Sequence, residues 1–327
     1  MDPALWHHTH TTRAADWPLE ALVHAKAATG TRIAVVVPAL NEEPTVGAIV
    51  STVREALVDR TGLVDDVLVI DSGSTDATAA TASAAGARVL TREEALPGVA
   101  VRPGKGEVLW RSTAATDADV LVFIDADLRE FTPAFVTGLL GPLLTDPRIQ
   151  LVKGCYDRPL EQSTGLLPGG GGRVTELVAR PLLSLHWPAL TEVIQPLAGE
   201  WAVRRAHLRA LRVPVGYGVE FAALIDTYEQ YGLEGIAQVD LGTRLHRNQP
   251  DPALGRMATQ IWHAALNRLP SAVIDEPTGS ATLRTWERSA DGFAVNDHVV
   301  DLTERDPMND VATRANTPTS EERTSAT

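Results

Sequence analysis

The sequence predicts an α/β fold with a mostly parallel sheet. Short apolar runs alternate with stretches of helical period through the first half of the chain, the pattern of strand–helix–strand units with right-handed crossovers. The runs are apolar throughout, as strands covered on both faces are. Polar clusters follow three of them, PALNEE, DSGSTD and DAD, at the strand ends where ligands of such sheets bind.

Residues 1–30 read as a polar tail or docking arm. Its cluster His7, His8 and His10 has no acidic or cysteine neighbour in sequence to complete a metal site. RIAVVVPAL, from Arg32, is a β-branched run and a buried strand. Val46, Ile49, Val50, Val53 and Leu57 then recur at helical spacing. DDVLVIDS is the second strand, and DATAATASAAG a small-residue helix with Gly86 as its stop. ARVL is the third strand, a helix follows RPGKG, and DVLVFIDAD is the fourth. If extended geometry persists there, Asp125 and Asp127 share one face. They then repel unless something positive lies beside them. Beyond residue 148 the order is less regular. IQLVKGCY is a strand, LLPGGGGR a flexible loop, and VTELVARPLLSLHW a helix kinked at Pro181. GVEFAALIDTYEQYG is an amphipathic helix, and IAQVDLGTRLHRNQP a strand running into a basic turn. A helix from about Pro252 to Leu269 closes the core, and the last 25 or so residues read as disordered.

With 327 residues and a hydrophobic fraction of 44%, the chain has enough apolar material for a sizeable core. Its net charge of -13 argues against nonspecific binding to nucleic acid or anionic membrane. The single cysteine, Cys155, fits a reducing cytoplasm. No apolar run approaches the roughly 20 residues of a membrane span, and MDPALWHHTHTTR lacks the design of a signal peptide.

No GxGxxG follows the first strand, and no phosphate-binding loop with a lysine, no nucleophile elbow and no CxxC pair occurs. PALNEE alone is a turn before a helix, and DSGSTD alone is ordinary capping chemistry. Their joint position with DAD on adjacent strand ends is what points to a nucleotide. Asn and Asp there read a base and ribose, while paired carboxylates hold a divalent metal on a diphosphate. GGGGRVTEL offers exposed backbone N–H groups, a helix start and the fork of Arg173, an anion cradle. Read blandly, it is a linker before a helix capped by Thr175.

VVVPALNEEPTVG, VLVIDSGSTDAT, GKGEVLW and LVFIDADL resemble the donor half of a GT-A glycosyltransferase. GGGGRVTELVARPLL, QPLAGEWAVRR, GYGVEFAALIDTY and LGTRLHRN resemble the glucosyl-3-phosphoglycerate synthases, retaining enzymes of glycosyltransferase family 81. The resemblance spans roughly residues 15–270. It implies glucose transfer from a nucleoside diphosphate, UDP-glucose preferred, to the 2-hydroxyl of 3-phosphoglycerate, with Mg²⁺ or Mn²⁺ as cofactor, in a cytoplasmic homodimer. It divides the chain into the arm, a donor-binding half at 31–147, an acceptor-binding half at 148–270 and an extension at 271–327.

The resemblance also implies roles. Pro38, Ala39, Leu40, Asn41, Glu42 and Ser72 form the uridine site, which Lys105 joins at base or ribose. Asp125 faces ribose or sugar, and Asp127 holds the metal together with His246. A lone histidine such as His246 is otherwise more often structural. Ala126 replaces the serine common between the family's carboxylates, losing a hydroxyl near the donor. Gly172, Arg173, Val174, Thr175 and Asn248 hold the acceptor's anionic groups, and Arg244 lies beside the phosphates. Tyr217 and Glu220 line the sugar pocket, and Leu197 forms the wall near the anomeric carbon. The sequence shows no carboxylate placed for double displacement, which favours front-face transfer. The nearest rival is mannosyl transfer from GDP-mannose on the same fold. A lipid glycosyltransferase lacks its anchor here, a pyrophosphorylase lacks its Arg-containing Gly-rich loop, and a catalytically dead sensor has no reason to retain Asp127 and His246.

Overall fold

The computed structural model describes residues 1–157, 160–162, 165–167, 172–244, 251–269, 280–289, 292–301 and 303–315. The chain opens with helix α1 (Pro3–His10), whose Leu5 N–H is capped by Asp2 Oδ1 at 3.0 Å. Strand β1 (Thr11–Arg13) and helix α2 (Leu19–Thr29) follow. β2 (Ile33–Ala39) is the β-branched run, and α3 (Glu43–Val53) starts at Pro44 in its first turn. Then come β3 (Asp66–Asp71), α4 (Thr78–Ala84), β4 (Arg88–Thr91), α5 (Arg92–Ala95), α6 (Lys105–Ala115), β5 (Val120–Phe123) and α7 (Pro133–Thr145). Gly86, at φ +96°, ends the α4 turn in a conformation that favours glycine.

In the second half, β6 (Leu151–Asp157) precedes a small hairpin, β7 (Leu160–Gln162) and β8 (Gly165–Leu167). A widened turn at Thr175–Ala179 runs into α8 (Arg180–His186), with Pro181 in its first turn, so the kink expected at Pro181 is a helix joint. β9 (Trp201–Arg204), α9 (Arg205–Ala210), β10 (Val213–Pro214), α10 (Val219–Tyr231), β11 (Ile236–Thr243) and α11 (Asp251–Leu266) follow. The extension holds a hairpin of β12 (Ser280–Ser289) and β13 (Gly292–Asp301), then β14 (Glu304–Arg305) and α12 (Met308–Ala315).

Eight strands form one sheet in the order β1-β11-β6-β9-β5-β2-β3-β4, all parallel except β9 against β5 and β6. Along β2, Ile33, Val35 and Val37 face one core while Ala34 and Val36 face the other. Both faces are therefore covered, which is why the strand reads as continuously apolar. The site lies beyond the carboxyl ends of β2, β3 and β5. Among the described residues no helix is long and apolar enough to cross a membrane.

Three expectations change. Residues 1–30 are no solvated tail: β1 pairs with β11, and Trp6 is fully buried, its indole N–H donating to Ile236 O at 2.9 Å. Pairing satisfies the open edge of β11 and anchors the arm. The fourth strand stops at Phe123, so Asp125 and Asp127 stand in the turn after it and not on a strand face. Part of the C-terminal stretch expected to be disordered is folded: β14 pairs with β10, and Met308 is fully buried. Residues 316–327 lie outside the described residues.

Candidate active site

Three loops meet at the strand ends and are stitched to one another. Asp71 ends β3 and accepts from Gly73 N at 3.2 Å and Ser74 N at 3.1 Å, folding DSGSTD back on itself. Glu42 N donates to Thr78 Oγ1 at 2.8 Å, and Asn41 N to Ser74 Oγ at 2.9 Å. Thr45 Oγ1 donates to Ala126 O at 2.6 Å, tying in the third loop. Asn41 belongs to the stitching: its Oδ1 accepts from Thr75 N at 2.8 Å, and it is the only non-glycine residue with positive φ among those described. Its neighbours Pro38, Ala39, Leu40 and Glu42 line the cavity beyond.

The cavity encloses about 690 Å³. Besides those four, its walls carry Ser72, Lys105, Asp125, Ala126, Asp127, Leu197, Tyr217, Glu220 and Arg244. Gly172, Arg173, Val174 and Thr175 close one side. His246 and Asn248 lie outside the described residues, as do 168–171 of the glycine loop. Both halves of the chain contribute to this single cavity.

Its electrostatics answer the puzzle of the two aspartates. The Lys105 ammonium lies 2.6 Å from Asp125 Oδ1 and 2.9 Å from Glu220 Oε1. Burial would lower the Lys105 pKa, but the two carboxylates outweigh it and hold the ammonium above its ordinary value. Arg244 Nη2 donates to Asp125 Oδ2 at 2.9 Å and to Asp127 Oδ1 at 3.1 Å, a cation placed between the pair. Its Nε reaches the fully buried Glu200 at 3.1 Å, and Tyr156 donates to the other Glu200 oxygen. Burial opposes the Arg244 charge, and Glu200, Tyr156, Asp125 and Asp127 override it, raising its pKa. Asp127 is held above the ordinary carboxylate value, by burial first and then by the charge of Asp125. Gly199 must lack a side chain, since a Cβ there would meet Asp125 Oδ2 at 2.1 Å.

Arg173 follows Gly172, which adopts φ +86°, and pairs with Asp251. Lys105 is a nearly buried ion-pair centre with its side chain 16% exposed.

A family model described as Glycosyl transferase family 2 matches residues 34–167. Glucosyl-3-phosphoglycerate synthase of Mycolicibacterium smegmatis is 48% identical, over 93% of this chain and 97% of its own. The chain belongs to the glucosyl-3-phosphoglycerate synthase family. Two solved structures of the Mycobacterium tuberculosis synthase superpose closely. One, in complex with Mn²⁺, UDP-glucose and phosphoglyceric acid, is 47% identical with a TM-score of 0.78, covering 90% of this chain and 95% of that one. The other, in complex with Mg²⁺ and UDP, is 46% identical with a TM-score of 0.80, covering 92% and 98%.

Within this family frame, several supporting residues were invisible in sequence. Glu200 and Tyr156 orient Arg244 from two other strands or strand ends. Lys153, almost wholly buried, donates to Ala198 O at 2.8 Å and so fixes the turn that carries Gly199. Arg92, Pro103 and Gly104 also line the cavity. For Lys153 and Glu200 the sequence signal was a charged residue inside an otherwise apolar run.

Proposed function

We propose that this chain transfers glucose, with retention, from UDP-glucose to the 2-hydroxyl of 3-phosphoglycerate, giving glucosyl-3-phosphoglycerate. The observation that carries the reading is the convergence of Lys105, Asp125, Asp127, Glu220 and Arg244 on one cavity at the strand ends. It stands in a chain 48% identical to a synthase of that name over nearly its whole length.

In this reading residues 31–147 supply most of the donor site, and 148–270 the acceptor side and the sugar pocket. Pro38, Ala39, Leu40, Asn41, Glu42 and Ser72 form the uridine site, with Lys105 reaching base or ribose. Tyr217 and Glu220 grip glucose, and Leu197 walls the anomeric carbon. Gly172, Arg173, Val174, Thr175 and Asn248 take the acceptor's anionic groups. Arg244 stands beside the diphosphate.

The donor set fits a divalent metal. Asp125, Asp127, Glu200 and Glu220 bring four formal negative charges, and Lys105 and Arg244 two positive ones, leaving −2. Carboxylate oxygens suit Mg²⁺ and Mn²⁺. In this reading Asp127 would hold the ion with His246 and the diphosphate. The metal supplies Lewis acidity for the departing diphosphate.

The chain's own residues orient the reactants, and their ion pairs favour a route without a covalent intermediate. Asp125, Asp127 and Glu220 are each bound to a cation, which lowers their nucleophilicity. Glucose therefore passes on one face, and the leaving phosphate takes the acceptor's hydroxyl proton. A cytoplasmic homodimer belongs to the same reading. Light scattering tests the dimer.

The deciding experiment is a matrix of UDP-glucose, GDP-glucose and GDP-mannose against 3-phosphoglycerate, glycerate and water, reading free nucleoside diphosphate. Highest turnover with UDP-glucose and 3-phosphoglycerate is expected. Preference for GDP-mannose, or no acceptor-dependent release, would overturn the reading.

A further inference from the structure

The helix that carries Lys105 does not stand on its own contacts. We propose that Arg305, in the C-terminal extension, is a positioning residue for the donor site, acting on Lys105 through the buried carboxylate of Glu107. This rests on the donor cavity described above.

Glu107 is two residues after Lys105, in the first turn of α6, and is fully buried. Its Oε1 accepts from Arg111 Nε at 2.7 Å, Arg305 Nη2 at 2.8 Å and Arg102 N at 3.2 Å. Its Oε2 accepts from Arg305 Nε at 2.8 Å, the one donor to that oxygen among the described residues. The Arg102 contact matters for the cavity, because the next two residues, Pro103 and Gly104, form its wall before Lys105. Glu107 thus fixes both the loop into the helix and the helix's first turn. A buried carboxylate holds such a geometry only while its own bonds are satisfied, and half of that satisfaction comes from Arg305.

The backbone repeats the connection. β14 pairs with β10, and Val215 N donates to Thr303 O at 3.2 Å. Just beyond, Gly106 N donates to Gly216 O at 3.2 Å and Glu107 N to Val215 O at 2.8 Å. The approach is so close that a Cβ on Gly106 would come within 1.9 Å of Pro214 O. Trp110 Nε1 donates to Asp306 O at 3.2 Å, and the Arg305 guanidinium stacks over its ring at 5.2 Å. The strap 303–308 therefore braces the α6 start and the loop carrying Tyr217 at once. The acceptor side at Gly172–Thr175 receives no contact from Arg305 among those described.

The test is donor against acceptor in the full-length chain. Arg305→Ala, Arg305→Lys and wild type are compared for the donor KM (UDP-glucose varied), the acceptor KM (3-phosphoglycerate varied), and the UDP Kd by calorimetry with Mn²⁺ present. Arg209→Ala is the control, because it removes a contact to Asn309 in the same extension and one to Thr113 O near the far end of α6, leaving Glu107 untouched. Arg305→Ala should raise donor KM and UDP Kd about tenfold with acceptor KM within about twofold. Arg305→Lys should recover part of the loss, because it restores the charge without the two-bond fork. Arg209→Ala should leave donor KM within about twofold. Unchanged donor affinity in Arg305→Ala overturns the assignment, as does a parallel rise in both KM values. Should Arg305→Ala fail to fold, Arg305→Lys decides alone: a donor-selective rise of about threefold supports the strap, and wild-type donor affinity refutes it. If wild type transfers nothing to 3-phosphoglycerate, the functional reading fails, while the UDP titration still judges Arg305.

Discussion

Lys105 sits where folding and binding meet, and Lys105→Met separates the two. The substitution keeps the stem and removes the ammonium. At an effective dielectric of about 20, contacts of 2.6 and 2.9 Å correspond to roughly 6 kcal/mol each in gross attraction. Desolvation of the three groups offsets most of this. Asp125 keeps Arg244 at 2.9 Å, so the deficit falls on Glu220, whose side chain is 5% exposed. Stranding one buried partner costs about 3–5 kcal/mol. For a chain of this size the expected fall in Tm is about 5 °C. UDP affinity should drop at least tenfold, as expected when a hydrogen bond from a charged group, about 1.5–3 kcal/mol, is lost. The double variant Lys105→Met/Glu220→Gln should regain at least half of the lost Tm, since no buried charge is then unpaired, without regaining UDP affinity. Differential scanning calorimetry and UDP titration on the three proteins are the assay. A single variant as stable as wild type, or a double variant no more stable than the single, would refute the ion-pair reasoning.

Arg173→Ala should raise the acceptor KM at least about tenfold and leave UDP affinity unchanged, with Arg173→Lys recovering part; a collapse of donor affinity would move the cradle to the diphosphate. Asp127→Ala and His246→Ala should each weaken Mn²⁺ binding with UDP present by at least about tenfold, and equal affinity in calorimetry would return that residue to a structural role. His207 hydrogen-bonds Thr227 at 2.8 Å, and burial pushes its pKa down to about 4. Its folded value lies below the unfolded one of about 6.5, so its contribution is complete above that pH and is lost as pH falls toward 4, by about 3 kcal/mol. His207→Gln should flatten the stability profile across that window, and an NMR titration showing an ordinary imidazole midpoint in wild type would contradict the assignment.

The parallel sheet and its ligand end were legible because the signals are local. IAVVVPA announces β2, and the polar residues that follow announce the loop after it. The same locality misled at DVLVFIDAD, where apolar residues ran into the carboxylates and the strand ended at Phe123. Asn41 was legible as a loop residue but not as a stitch to Thr75, 34 positions away. Arg244, Glu200 and Tyr156 form one network from three separate segments, and no spacing rule joins them. Trp6 and Met308 are fully buried, yet each stands in a polar stretch, so composition averaged over the window hid the anchor.

A chain with net charge -13 takes anionic ligands because its site cations are held in place before any ligand arrives. Lys105 is fixed between Asp125 and Glu220, and Arg244 among Asp125, Asp127 and Glu200. Fixing them in advance removes the entropy cost of ordering long side chains on binding. It also means that the carboxylates must yield part of their cations to a phosphate, which a divalent ion can compensate on the −2 cluster. Charge reversal at Asp125 would then weaken the cations' placement as much as it removed repulsion. The cluster acts as a unit, so single substitutions within it should be strongly non-additive, and cycles through Lys105, Asp125 and Glu220 are the means to measure how strongly they couple.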